Sequence, residues 1–130
     1  MPRTKLVPAL VVTFVSSIFH YTDNYLRYEQ YPSGDPPLIA RPTIWIAWLA
    51  FTGIGILGYL LYRQGRLKPA GLYFAIYSIS GLVSPLHYLY GSLSDFDLIQ
   101  HVFILTDGIA GAVVLWLSLR LFREGSRTVT

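Results

Sequence analysis

Four apolar stretches, at about residues 6–25, 43–62, 69–90 and 98–120, take up most of this 130-residue chain and leave only polar connections between them. Each reaches the ~20 residues that an α-helix needs to cross a hydrocarbon core ~30 Å thick. Backbone amides in lipid must find partners within the chain, and the alternating ~10-residue strands of a closed barrel are absent, so helices are the spanning structure left. The sequence therefore predicts an all-α integral membrane protein, a single domain over 1–130. Two of its three connections are short, so consecutive helices should be antiparallel neighbours in a four-helix up-down bundle. A hydrophobic share of 53% against 13% charged residues fits lipid, not water, as the solvent. Arg3 and Lys5 precede the first stretch as in a signal peptide, but the chain runs on through Phe19, His20, Tyr21 and Thr22 with no small-x-small cleavage site. The expectation is a retained helix.

The basic residues orient the bundle. Arg3, Lys5, Arg63, Arg66, Lys68, Arg120, Arg123 and Arg127 fall on one side of the threading, and only Arg27 and Arg41 on the other. By the positive-inside rule both termini and the 63–68 turn are expected in the cytoplasm, with the 26–42 loop and the 91–97 turn outside. The expected location is the plasma membrane of a bacterium or archaeon. Cations spread over helix ends rather than gathered in a block give no nucleic-acid footprint. Trp45 and Trp48 near the outer boundary, and Tyr59, Tyr62 and Trp116 near the inner one, suit the headgroup level. The chain has no cysteine, so disulfides, thiolate metal sites and cysteine nucleophiles are excluded.

The polar residues inside the spans point to a site. His20, His87 and His101 each sit about one turn inside the same end of three different spans, where an ionisable side chain is costly. On the first span Thr13, Ser16, Ser17, His20, Asp23 and Asn24 recur at helical steps and share a face, and on the third Tyr73, Tyr77, Ser80, Ser84 and His87 do the same. The second span offers Trp45, Trp48, Thr52, Gly55, Tyr59 and Tyr62, an aromatic wall. On the fourth, Gln100 and Asp107 share a face and His101 is turned away by roughly a third of a circle. Asp107 is the deepest acid, ~9 Å further in than His101. Gly108 and Gly111, with Ala110 and Ala112, give a surface that lets a neighbouring helix come close. Pro85 removes a backbone hydrogen bond two residues before His87 and is expected to bend the third helix there. The 28–37 loop, rich in proline and glycine, reads either as a partial lid over the bundle or as a plain connector.

These residues predict a shared outward-facing pocket, with His20, His87 and His101 as metal ligands and Asp23 or Asp107 as a fourth ligand or catalytic base. Asn24, Ser84, Gln100 and Trp48 are expected to line it. Three functional classes remain open on the sequence. One is a membrane-embedded metal-dependent or acid–base enzyme acting on an apolar small molecule, with a divalent metal such as zinc. Another binds a ligand, a cation or a single haem b between facing histidines. The last is an accessory subunit of a homo-oligomer or larger membrane complex, whose polar residues pair helices. No HExxH or HxxxH motif is present, so any metal site has to be assembled across helices.

Overall fold

The computed structural model describes residues 2–127 and contains four long helices: α1 (Pro2–Leu26), α2 (Arg41–Arg63), α3 (Leu67–Leu82) and α4 (Leu98–Arg127). Short 3-10 turns occupy Tyr28–Gln30, Ser84–Leu89 and Leu93–Asp95. With Ser84–Leu89 counted as the continuation of α3, all four segments are long and apolar enough to cross a membrane. Each helix packs on the next, and α4 closes the ring against α1. Arg3 pairs with Glu124 at one end of the α1–α4 contact, and Arg27 with Asp97 at the other.

Local chemistry sets the boundaries. Pro42 stands in the first turn of α2, where its missing N–H costs nothing. Gly65, at φ 76°, ends α2, with the Gly65 amide donating to Tyr62 and the Arg66 amide to Leu61, so the closing carbonyls are satisfied. Asp97 starts α4. The Gln100 amide donates to its carboxylate at 2.8 Å and the Gln100 side chain accepts from the Asp97 amide at 2.9 Å, a reciprocal cap.

The expected third helix over 69–90 is divided in the structure. Its α-helical part ends at Leu82 and Ser84–Leu89 is a 3-10 turn. Pro85 has no N–H to give the Gly81 carbonyl, so the α pattern cannot pass it. The fourth helix runs past the expected 120 to Arg127, because Leu121 and Gly125 are still buried, Gly125 against Leu67 and Lys68.

The tightest contact is between α3 and α4, and glycine makes it so. A Cβ on Gly111 would lie 2.8 Å from the Leu82 amide nitrogen and the Ser78 carbonyl oxygen, and one on Gly71 would lie 2.8 Å from backbone atoms of Ser118 and Phe122. Backbones that close exchange dispersion contacts that lipid cannot match. Gly108 and Ala110 are also buried, as the small-residue surface predicts, but Ala112 faces outward. One apolar core joins Leu6, Leu67, Phe74, Val114, Leu117 and Leu121, and a smaller one at the opposite end joins Tyr31, Phe96 and Ile104. The second helix buries only Ile44 and Gly58, leaving Ile46, Leu49, Ile56, Leu57 and Leu60 exposed, a face suited to lipid.

Replacing Gly111 by valine is expected to cost about 2 kcal/mol or more, since the backbone opposite cannot yield. Gly53→Ala, with open space at its Cβ, is expected to cost nothing. Thermal unfolding of the two variants in detergent, followed by circular dichroism, checks the contrast.

Candidate functional site

The site is built from the 3-10 turn that Pro85 forces. In a 3-10 helix residues three apart eclipse, so Ser84 and His87 look the same way, towards α1. On α1, His20 and Asn24 are one turn apart on the facing side. His20 and His87 stack with ring centroids 5.6 Å apart, and the Asn24 amide donates to His87 Nε2 at 3.1 Å. An Nε2 that accepts leaves the ring proton on Nδ1, where the Pro32 backbone, able only to accept, interacts with the same ring. His20 is 2% exposed and its Nδ1 has no hydrogen bond.

Beside the two rings is a cavity of about 320 Å³, within the usual range for small-molecule sites. Its polar lining includes His20, Asn24, Ser84 and His87, with Tyr21, Ser33, Thr43 and Tyr90 adding hydroxyls. Its walls are apolar: Ile44, Ala47 and Phe51 of α2, with Val83 and Leu86 beside the turn. Leu38, Ile39 and Leu89, all exposed, stand at its rim.

The loop after α1 covers the end of this site and is tied down by charge. Arg27 donates to both Asp23 oxygens, at 2.8 and 2.7 Å, and reaches across to Asp97. The Tyr31 hydroxyl donates to the same Asp23 carboxylate. Gln100, besides capping α4, donates to the Gln30 carbonyl at 3.0 Å. Tyr31 is thereby buried, its ring 4.9 Å from His87 and 5.9 Å from His20 by centroid. Hydrogen bonds to Asp23 and Asp97 raise the Arg27 pKa further above its ordinary value. Burial, then the hydrogen bond to Asp23, raises that of the Tyr31 phenol. The Arg27 guanidinium holds the Asp97 carboxyl below its ordinary range.

The remaining expected site residues are elsewhere. His101 is half-buried beyond Tyr88: its Nε2 donates to the Leu93 carbonyl at 3.0 Å and its Nδ1 accepts from the Tyr88 hydroxyl at 2.8 Å, so both ring nitrogens are in use. Among the described residues no group of three or more His, Asp or Glu side chains could hold a metal ion. The structure thus brings together two of the three histidines. His101 falls away because it lies on the flank of α4, not on the buried face that carries Gln100, Ile104 and Asp107. Asp23 is engaged by Arg27 and Tyr31. Asp107 is fully buried behind the cavity wall, accepts from Ser84 Oγ at 2.7 Å and leaves Oδ1 without a hydrogen bond. Gln100 anchors the loop. The Trp48 indole donates to Ser17 Oγ at 3.0 Å below the cavity without lining it. Asn24 and Ser84 do line it.

Sequence reasoning missed Tyr31, Pro32 and Tyr21. Tyr31 and Pro32 lie in the loop, where neither helical period nor hydropathy marks a residue as inward; an aromatic beside proline was the one available signal. Tyr21 sits outside the polar stripe of α1, yet its hydroxyl donates to the Ser80 carbonyl at 3.0 Å.

Four apolar helices around a cavity with a few convergent polar groups define the class as a four-helix bundle with candidate membrane spans. No protein-family model, curated protein or solved structure matches the chain.

The ion cluster predicts a pH dependence. Asp97 has its pKa lowered from 3.8 in the folded protein, so its contribution is complete at neutral pH and is lost as the pH falls through that lowered value. Relative to the intrinsic amide exchange rate at each pH, protection over residues 28–40 is expected to fall below about pH 3.8. Arg27→Gln is expected to give the same loss of protection already at pH ~7, where carboxylates are charged.

Proposed function

We propose that this chain is an integral membrane protein, an up-down bundle with both termini cytoplasmic, that binds a small uncharged amphiphile in the cavity at its outward end. The observation that carries this reading is the lining of the cavity: apolar walls, polar side chains that include His20, Asn24, Ser84 and His87, and no lysine, arginine or carboxylate among its lining residues. Such a site suits a ligand with a carbonyl or hydroxyl head and an apolar body. The apolar rim fits entry from the outer leaflet. Orientation follows the charges: Arg3, Arg63, Arg66, Lys68, Arg123 and Arg127 belong to the bundle end opposite Arg27 and Arg41.

Binding is favoured over metal chemistry because only His20 and His87 meet, and zinc needs three or four ligands. It is favoured over acid–base catalysis because Asp23 and Asp107 do not line the cavity. The host membrane expected from the charge bias is a bacterial or archaeal plasma membrane.

Titration of the protein in lipid nanodiscs with monooctanoylglycerol, followed by the imidazole nitrogen NMR signals, tests the reading. The His20 and His87 signals are expected to shift saturably while those of His101 stay. His87→Leu is expected to weaken binding about tenfold, the value of roughly one well-placed hydrogen bond. Equal movement of all three histidines would contradict the proposal. So would stoichiometric zinc, copper or iron in the purified protein that disappears in His87→Ala.

A further inference from the structure

A second apolar hollow lies on the same seam between α1 and α2. It measures about 430 Å³ and is lined by Val11 and Phe14 of α1, Thr52, Ile56 and Tyr59 of α2, and Tyr77 of α3. The outer cavity meets α2 along residues 43–51 and this groove along 52–59, so the two lie end to end. The two share no lining residue, and Trp48 of α2 and Ser17 of α1 stand between them along the helices. Trp48 leans on the Phe14 ring, with centroids 5.7 Å apart, and is pinned by its hydrogen bond to Ser17. The α1–α2 contact is also the loosest between consecutive helices of the ring.

We infer that the α1–α2 seam is one continuous site for a long single-chain amphiphile: its head lies against His20, Asn24, Ser84 and His87, and its chain passes Trp48 into the inner groove. The inference rests on the amphiphile reading of the outer cavity and adds the chain. The argument is one of length and continuity. The seam extends over residues 43–59 of α2, ~24 Å at 1.5 Å per residue. One leaflet of a ~30 Å core offers about half its thickness to a chain. A tail of bulk lipid entering from either side therefore fills only part of the seam, whereas one long chain held at its head in the outer cavity fills both hollows. Joining head and tail covalently makes occupation of the groove intramolecular once the head is bound. Thr52, Tyr59 and Tyr77 bring hydroxyls to the groove, but the surface it presents is almost wholly apolar and offers a head group little, so the groove takes a chain and not a second polar ligand.

The test uses Trp48 as the reporter. In a Trp45→Phe, Trp116→Phe background in nanodiscs, monostearoylglycerol brominated at mid-chain is expected to quench Trp48 saturably. Unlabelled monostearoylglycerol is expected to displace it at about tenfold lower concentration than monooctanoylglycerol, a modest gain because the chain leaves lipid of similar polarity. Val11→Phe with Ile56→Phe, both at exposed positions, is expected to remove that preference and leave monooctanoylglycerol binding in the histidine NMR titration unchanged. An unaltered thermal midpoint confirms that this variant is folded. Equal displacement by the two chain lengths, or a preference that survives the double variant, overturns the inference and leaves the outer-cavity reading standing. Failure of monooctanoylglycerol to bind in the histidine NMR titration sinks both.

Discussion

The histidine end of this bundle depends on the fit of Pro85 against Gly108. A Cβ on Gly108 would come 2.8 Å from Pro85 Cγ, so only glycine leaves room for the ring on the face of α4. Proline at this point stops the α-helical hydrogen-bond ladder of α3, and the chain leaves as a 3-10 turn across the same end of the bundle. Three consequences follow from that change of helix. Ser84 meets Asp107, His87 comes to stack on His20, and Tyr88 turns to the opposite side, where it holds His101. A continuous α-helix through residue 90 would separate Ser84 and His87 by a rotation of about 60°.

Burial makes these pairings consequential. A polar group among apolar side chains has no water to fall back on, so each has to be met by protein or left at a cost. Several buried hydroxyls are met locally: those of Thr13, Ser17, Ser78 and Ser118 donate to carbonyls three or four residues back in their own helices. Among the described residues His20 Nδ1, Ser80 Oγ and Asp107 Oδ1 are buried without hydrogen bonds, and of these three residues only His20 lines the cavity. Where the loop meets the helix ends, Asp23, Arg27, Tyr31 and Asp97 satisfy one another and fasten the loop that carries Tyr31 over the histidines.

Much of the fold was legible because hydropathy, helix length and glycine spacing act within single segments. The four helices, the small-residue face with Gly108 and Gly111, and the break at Pro85 all follow from such local rules. The site was legible only in part. His20, Asn24, Ser84 and His87 come together as the stripes on α1 and α3 imply. His101 misled because equal depth says nothing about azimuth, and on α4 a single step of 100° separates the buried Gln100 from the half-buried His101. Asp23 misled for another reason: its partner Tyr31 comes from an irregular loop with no period to read. Trp48 belonged to the right helix, but an indole N–H can be drawn to a serine across the seam, and no sequence pattern records that choice.

Cross-linking tests the central claim, that His20 and His87 share one pocket and His101 does not, most directly. The chain has no cysteine of its own, so paired substitutions need no background changes. With His20→Cys and His87→Cys together, a short bifunctional thiol reagent is predicted to join the two positions in the membrane-embedded protein. With His20→Cys and His101→Cys it is predicted to leave both singly modified. Equal cross-linking of both pairs would contradict the account and restore a three-histidine centre.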